Sequence, residues 1–140
     1  MFVDTSACVA ILADEPGASA LARRLEVAPI RLTSWLVRLE TVMRLSLKLD
    51  VSCETANGFF DRFLTEASIE VVPITDEISR AAVAAFAKYG KGRGHPARLN
   101  LADCMSYACA KTLGAELLFV GEDFAQTDLG EPGVPRRPRR

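Results

Sequence analysis

At 140 residues the chain is sized for one domain, and 49% hydrophobic with 25% charged residues sets it apart from disordered sequences. No apolar run approaches the roughly 18 residues that cross a bilayer, and Phe2–Leu12 lacks the basic start of a signal peptide, so the expected location is the cytoplasm. A net charge of −1 sets up no global positive field for nucleic acid, although Lys88, Lys91, Arg93 and Arg98 cluster around one loop.

"MFVD" reads as a short strand, after which Thr5 or Ser6 can cap a helix running to Leu12. "EPGASALARRLE" predicts a second helix with Pro16 near its first turn, and "IRLT" a brief strand. Thr33 or Ser34 opens a long helix towards Leu49. Ser52 opens another, whose Ala56, Phe59, Phe60, Phe63 and Leu64 form an apolar stripe at helical spacing. "IEVVPI" is a strand, and Thr75 caps a helix with Ile78, Ala82, Ala85 and Tyr89 on one face. "YGKGRGHPARL" is a loop, because its three glycines and a proline exclude regular structure. Asn100 caps a helix to Lys111, with Gly114 in the left-handed position that ends helices. "LLFV" reads as a strand buried on both faces, and the chain then decays into a Pro/Arg-rich tail ending "PRRPRR". Strands alternating with helices, with no repeats and no hairpin signal, predict an α/β fold with a mainly parallel sheet.

Four cysteines, Cys8, Cys53, Cys104 and Cys109, contain no Cys-x-x-Cys pair, and His95 is the single histidine. A zinc site or a histidine-based triad is therefore disfavoured, and the cysteines are expected to fill core space as reduced thiols.

The carboxylates are more informative. Asp4 interrupts the first apolar element, where an unpaired charge costs several kcal/mol unless it finds a partner, a proton or a metal. Leu36, Glu40, Met43 and Leu47 share a helical face, so Glu40 falls on an apolar stripe, either facing a site or reaching outward as a boundary residue. Asp103 lies in the first turn of its helix, where Asn100-x-x-Asp103 resembles a capping box and an acid favours the helix dipole. Asp123 follows "LLFV" as Asp4 follows "FV", at the carboxyl ends of strands where α/β sheets bind ligands; Glu122 and, more weakly, Asp128 compete with it. Converging carboxylates raise one another's pKa unless a cation neutralises them, and an all-oxygen set suits Mg²⁺ or Mn²⁺ in phosphoryl-transfer chemistry.

"FVDTSACVAIL", "LVRLETV", "KYGKGRGHPARLNLADCMSYACAK" and "LLFVGEDFAQTDL" together resemble a PIN-domain ribonuclease, and within that family the VapC toxins of bacterial toxin–antitoxin pairs. The likeness spans residues 1–129, leaving 130–140 as a flexible tail. It implies a single α/β/α domain with an Mg²⁺- or Mn²⁺-dependent ribonuclease site. The acidic positions carry over to Asp4, Glu40, Asp103 and Asp123, with Asp4 and Asp103 as the expected metal holders. Thr5 and Ser6 match a hydroxyl-bearing position that orients the site. The usual last motif is GNDF or GDDF and here it is GEDF, so Glu122 stands beside Asp123 as a candidate. The resemblance also implies an RNA substrate, a homodimer, and inhibition by a VapB-like antitoxin whose C-terminal segment fills the site groove.

Other enzyme classes fit less well. An aspartate-nucleophile phosphatase wants a second aspartate two residues after the first, where Ser6 stands, and a phospho-receiver domain wants a lysine after a late strand, where Gly121 follows "LLFV". The remaining alternative is a PIN fold that binds protein or RNA without cutting, against which all four carboxylates are present. The basic cluster is expected either to grip phosphates without specifying sequence or to be a solvated loop.

Overall fold

The apolar pair at the start of the chain becomes the centre of the sheet. In the computed structural model, which describes residues 1–130, Phe2–Val3 form β1 and are fully buried. β1 pairs with β2 (Leu32–Ser34) on one side and β4 (Leu117–Leu118) on the other, and β3 (Glu70–Val72) adds to β2. All pairings are parallel and the order is β3-β2-β1-β4, as the alternation of strands and helices predicts. The chain thus winds outward from β1 to β3 and then returns to the other side of β1. That reversal makes the carboxyl ends of β1 and β4 a topological switch point, the place where such sheets open a ligand crevice.

Hydroxyl and amide caps start most of the helices. Ser34, Ser52 and Thr75 each accept a bond from the third residue onward and open α3 (Trp35–Lys48), α4 (Cys53–Glu66) and α5 (Asp76–Tyr89). Asn100 opens α6 (Leu101–Thr112) with a complete capping box, and Gly114 follows with φ of 62°. α1 (Thr5–Leu12) differs from expectation, because Asp4 itself is its cap and not Thr5 or Ser6. α2 (Ala18–Val27) starts after Pro16, not around it: Gly17, at φ of 91°, turns the chain into the helix in a conformation that favours glycine.

α1 to α4 pack together, while α5 lies along α6 and α6 sits on β1 and β4. Ala56, Phe60 and Phe63 of α4 and Ile78, Ala82, Ala85 and Tyr89 of α5 are buried, as their spacing predicts. α3 buries a different face from the Leu36–Glu40–Met43–Leu47 stripe. Its buried residues are Val37, Thr41 and Leu45, whereas Met43 and Leu47 are 57% and 85% exposed. Apolar residues occur on both sides of this helix, so periodicity alone does not say which side meets the core.

Leu117 and Leu118 are buried, yet β4 is the edge strand of the sheet and stops before Phe119. Phe119 instead packs against Phe124, with ring centroids 5.4 Å apart, and Gly121 at φ of 109° turns the chain away. A 3-10 turn, Phe124–Gln126, follows. Apart from Gly130, the predicted tail at 130–140 lies outside the described residues. Cys8, Cys104 and Cys109 are buried free thiols, but Cys53 is exposed at the start of α4 and fills no core space. Among the described residues no helix is long and apolar enough to cross a membrane.

Candidate active site

Asp4 finds its first partner within its own turn. Its Oδ2 accepts from the Ser6 backbone N–H at 3.0 Å and from Ser6 Oγ at 2.7 Å, while the residue is only 3% exposed. The positive end of α1 and one hydroxyl thus compensate a buried carboxylate. Ser6 Oγ also accepts from the Val120 N–H at 3.0 Å, which ties the end of β4 to the start of α1. Between the two hydroxyl candidates Ser6 orients the acid. Thr5 Oγ1 is buried with no partner among the described residues.

Asp103 is held the same way. Its N–H donates to Asn100 Oδ1 at 2.9 Å and its Oδ2 accepts from the Asn100 N–H at 3.0 Å. The capping reading of Asp103 is therefore correct, and it leaves the other oxygen uncommitted. Among the described residues no donor reaches Oδ1 of Asp103 or of Asp4.

Burial pushes the Asp103 carboxyl up to about 6, and the charges of Asp4, Asp123 and Glu40 push in the same direction against the opposing Asn100 hydrogen bond. The end of β1, the middle of α3 and the segment after β4 thus bring their acids within electrostatic reach of Asp103 at the start of α6. Burial and the neighbouring Asp4 charge also raise the Cys8 thiol, and burial with Asp103 raises Cys104, so neither is a poised thiolate.

Asp123 is exposed and makes no capping bond, yet it acts on Asp103; Glu122 is not among the charges that do. Asp128 lies elsewhere. Its Oδ1 accepts from Tyr107 Oη at 2.6 Å and Tyr89 Oη at 3.4 Å, and its Oδ2 pairs with Lys111 Nζ at 2.6 Å. Partial burial works to raise its pKa, but the Lys111 and Tyr107 bonds prevail and hold it below the usual carboxylate range. It is a structural acceptor and not a fifth member of the acidic group. Spacing had one signal for this, since Tyr107 and Lys111 share a face of α6 one turn apart.

Among the described residues no three histidine, cysteine, aspartate or glutamate side chains form a ready-made metal cage. The donor set, two uncommitted carboxylate oxygens with further acids nearby, suits a hard cation that keeps most of its own water, and not a tetrahedral zinc site.

The basic loop closes onto this end of the molecule. Lys91 N–H donates to Leu99 O and Leu99 N–H to Tyr89 O, both at 2.9 Å, so residues 90–99 lead directly into the Asn100 cap. Gly90 is required at the base, because a Cβ there would stand 2.5 Å from Phe86 O. Lys88, Lys91, Arg93 and Arg98 are all exposed. His95 accepts from the Ala97 N–H at Nδ1 and packs edge-on to Tyr89, a structural position.

Residues 1–129 match the family described as the PIN domain. The chain belongs to the PIN-domain family. Among curated PIN-family proteins, ribonuclease VapC30 of Mycobacterium tuberculosis is 41% identical over 135 residues, covering 96% of this chain and all of the relative. A VapC ribonuclease of Rhizobium meliloti is 41% identical over 140 residues, covering 92% of this chain and 99% of the relative. Ribonuclease VapC42 of Mycobacterium tuberculosis is likewise 41% identical, over 92% and 96% of the two chains. At that identity and coverage the chain falls within the VapC group of PIN domains.

Proposed function

We propose that this protein is the toxin of a toxin–antitoxin pair, an endoribonuclease that works with Mg²⁺ or Mn²⁺. The observation that carries the reading is the Asp103 carboxyl, loaded by burial and by three acids from three other elements. Such a group of charges is costly alone and favourable around a divalent cation. The ribonuclease names of the VapC30 and VapC42 relatives support the same chemistry.

Asp4 and Asp103, each with one carboxylate oxygen left open by its helix cap, would hold the ion. A bound Mg²⁺ or Mn²⁺ supplies a Lewis acid for the attacked phosphate and an activated water. Ser6 and Asn100 orient the two acids, while Glu40 and Asp123 would add their charge to the same site. Lys88, Lys91, Arg93 and Arg98 bind the RNA backbone beside the site, where they position the strand without reading its bases. The exposed apolar residues Trp35, Leu39 and Met43 of α3, each 57% accessible, offer protein-binding surface for a VapB-like antitoxin or a second copy of the chain.

RNA incubated with purified protein tests this. Cleavage is expected with Mg²⁺ or Mn²⁺, none with a chelator, and none with Asp4→Asn or Asp103→Asn. Asp4→Asn protein that cut RNA at the wild-type, Mg²⁺-dependent rate would overturn the mechanism. RNA binding without cutting by the wild-type chain would leave a binding module. Failure to associate with the product of an adjacent reading frame would remove the antitoxin, and a single-chain mass by light scattering would remove the homodimer.

A further inference from the structure

Asp4 and Asp103 are fixed by the helices they cap, but among the described residues nothing bonded to the Asp123 side chain holds it in place. The segment that bears it starts at Gly121, and besides the packing of Ala125 and Leu129 against the core two side chains attach it to the body. One is Phe124, 3% exposed and stacked on Phe119. The other is Asp128, whose single carboxylate takes three donors: Tyr89 from α5, and Tyr107 and Lys111 from α6. Between them Thr127, 1% exposed, locks the turn: its Oγ1 donates to Phe124 O at 2.7 Å and accepts from the Leu129 N–H at 3.2 Å. A shift at Asp128 is therefore carried to Asp123 through one closed turn, not lost in slack chain.

We propose that Asp128 is a positioning residue that sets where the Asp123 carboxylate stands relative to Asp103, through its bonds to Tyr107, Tyr89 and Lys111. The proposal rests on the ribonuclease reading above. It assigns a role to an acid outside the acidic group and to two buried tyrosines that the reaction does not otherwise use. The bonds from Tyr107 and Lys111 are equally short at 2.6 Å, but the Tyr107 bond is half-sheltered, while Lys111 is about half exposed and contributes less.

The test compares Asp128→Asn, Tyr107→Phe and Lys111→Met with the wild type. Cleavage is followed in single-turnover assays with excess protein, so that slow variants can still be timed. Asp128→Asn and Tyr107→Phe are expected to lower the maximal single-turnover cleavage rate about tenfold to a hundredfold, the scale of a small misplacement of a reacting group, with the half-saturating protein concentration nearly unchanged. Lys111→Met is expected to have a much smaller effect. In an Asp123→Asn background, Asp128→Asn is expected to cost nothing more, because it acts through the missing carboxylate. Losses that multiply across the two sites would overturn the proposal, since a general weakening of the fold would give that result.

Amide hydrogen exchange on the uncut protein provides a readout independent of catalysis. Exchange across residues 120–129 is expected to rise in Asp128→Asn and Tyr107→Phe while the α6 amides stay protected. Unchanged exchange there would overturn the clamp even if the wild type cuts RNA. An inert wild-type chain with the raised exchange would instead overturn the ribonuclease reading and the catalytic half of this proposal, leaving the clamp itself established.

Discussion

The acids at the start of α1 and α6 and the acid after β4 belong to one group, but they are held in opposite ways. Asp4 and Asp103 each spend one oxygen on a helix cap and keep the other open, so local backbone geometry positions them within three residues of their own place in the chain. Asp123 is exposed and caps nothing, and the contacts around it are made by its neighbours, Phe124 on Phe119 and Asp128 on α5 and α6. A carboxylate that doubles as a helix cap is rigid at no further entropic cost, because the helix already orders it. A carboxylate on a free turn has to be placed by the tertiary structure.

The largest effect follows from the first pair. Asp4→Asn and Asp103→Asn keep the shape and the capping bonds but remove a charge from the proposed metal site. Losing several kcal/mol of charge stabilisation corresponds to at least about a thousandfold in cleavage rate. Gel-based RNA cleavage checks this, with circular dichroism to show that the fold persists.

A smaller loss is expected at the third acid. Asp123→Asn should reduce cleavage by about tenfold to a hundredfold, while Glu122→Gln should stay within about twofold, because of these two neighbours it is Asp123 that adds to the load on Asp103. The reverse order would show that the longer side chain is the one that reaches the site.

Stability separates the cap from the catalytic charge. Asp4→Ala removes both and is expected to cost about 1 kcal/mol relative to Asp4→Asn, which retains the cap. Ser6→Ala should cost a similar amount, about 1 kcal/mol, by breaking the link from Asp4 to the Val120 N–H. Urea denaturation of the metal-free proteins measures both. Equal stabilities of Asp4→Ala and Asp4→Asn would show that the cap contributes nothing.

The last effect is a pH dependence. The folded protein holds the Asp103 proton up to about pH 6, above the ordinary value of 3.8, so folding is favoured while that proton is present. Its contribution is complete below the ordinary value and is lost as pH rises from there through about 6. Metal-free protein should therefore lose melting temperature across that window, and Asp103→Asn should flatten the slope. Mg²⁺ should raise the melting temperature above the window, where the carboxylates are charged, and have little effect below it.

Much of the local structure was legible. Ser34, Ser52, Thr75 and Asn100 were readable as caps because a cap is chemistry within three residues, and Ile78, Ala82, Ala85 and Tyr89 were readable as a core face because the other side of α5 is largely polar or small. The parallel α/β class followed from strands alternating with helices. The four acids were picked out as residues that their surroundings did not explain, and Asp103 was readable as a cap before it was visible as a member of the group.

Other features needed the tertiary structure. Ser6 meets Val120 across 114 positions of chain, and no local pattern encodes that β4 returns to the side of β1 left open by β2. The buried face of α3 depended on which neighbours it met, since apolar residues line both sides. Asp123 and Asp128 look alike in sequence, two acids in one short exposed segment. Only the tertiary structure brought the charge of one within reach of Asp103 and gave the other to two tyrosines and a lysine, because the role of a side chain on a turn is set by the donors and charges that distant elements bring beside it.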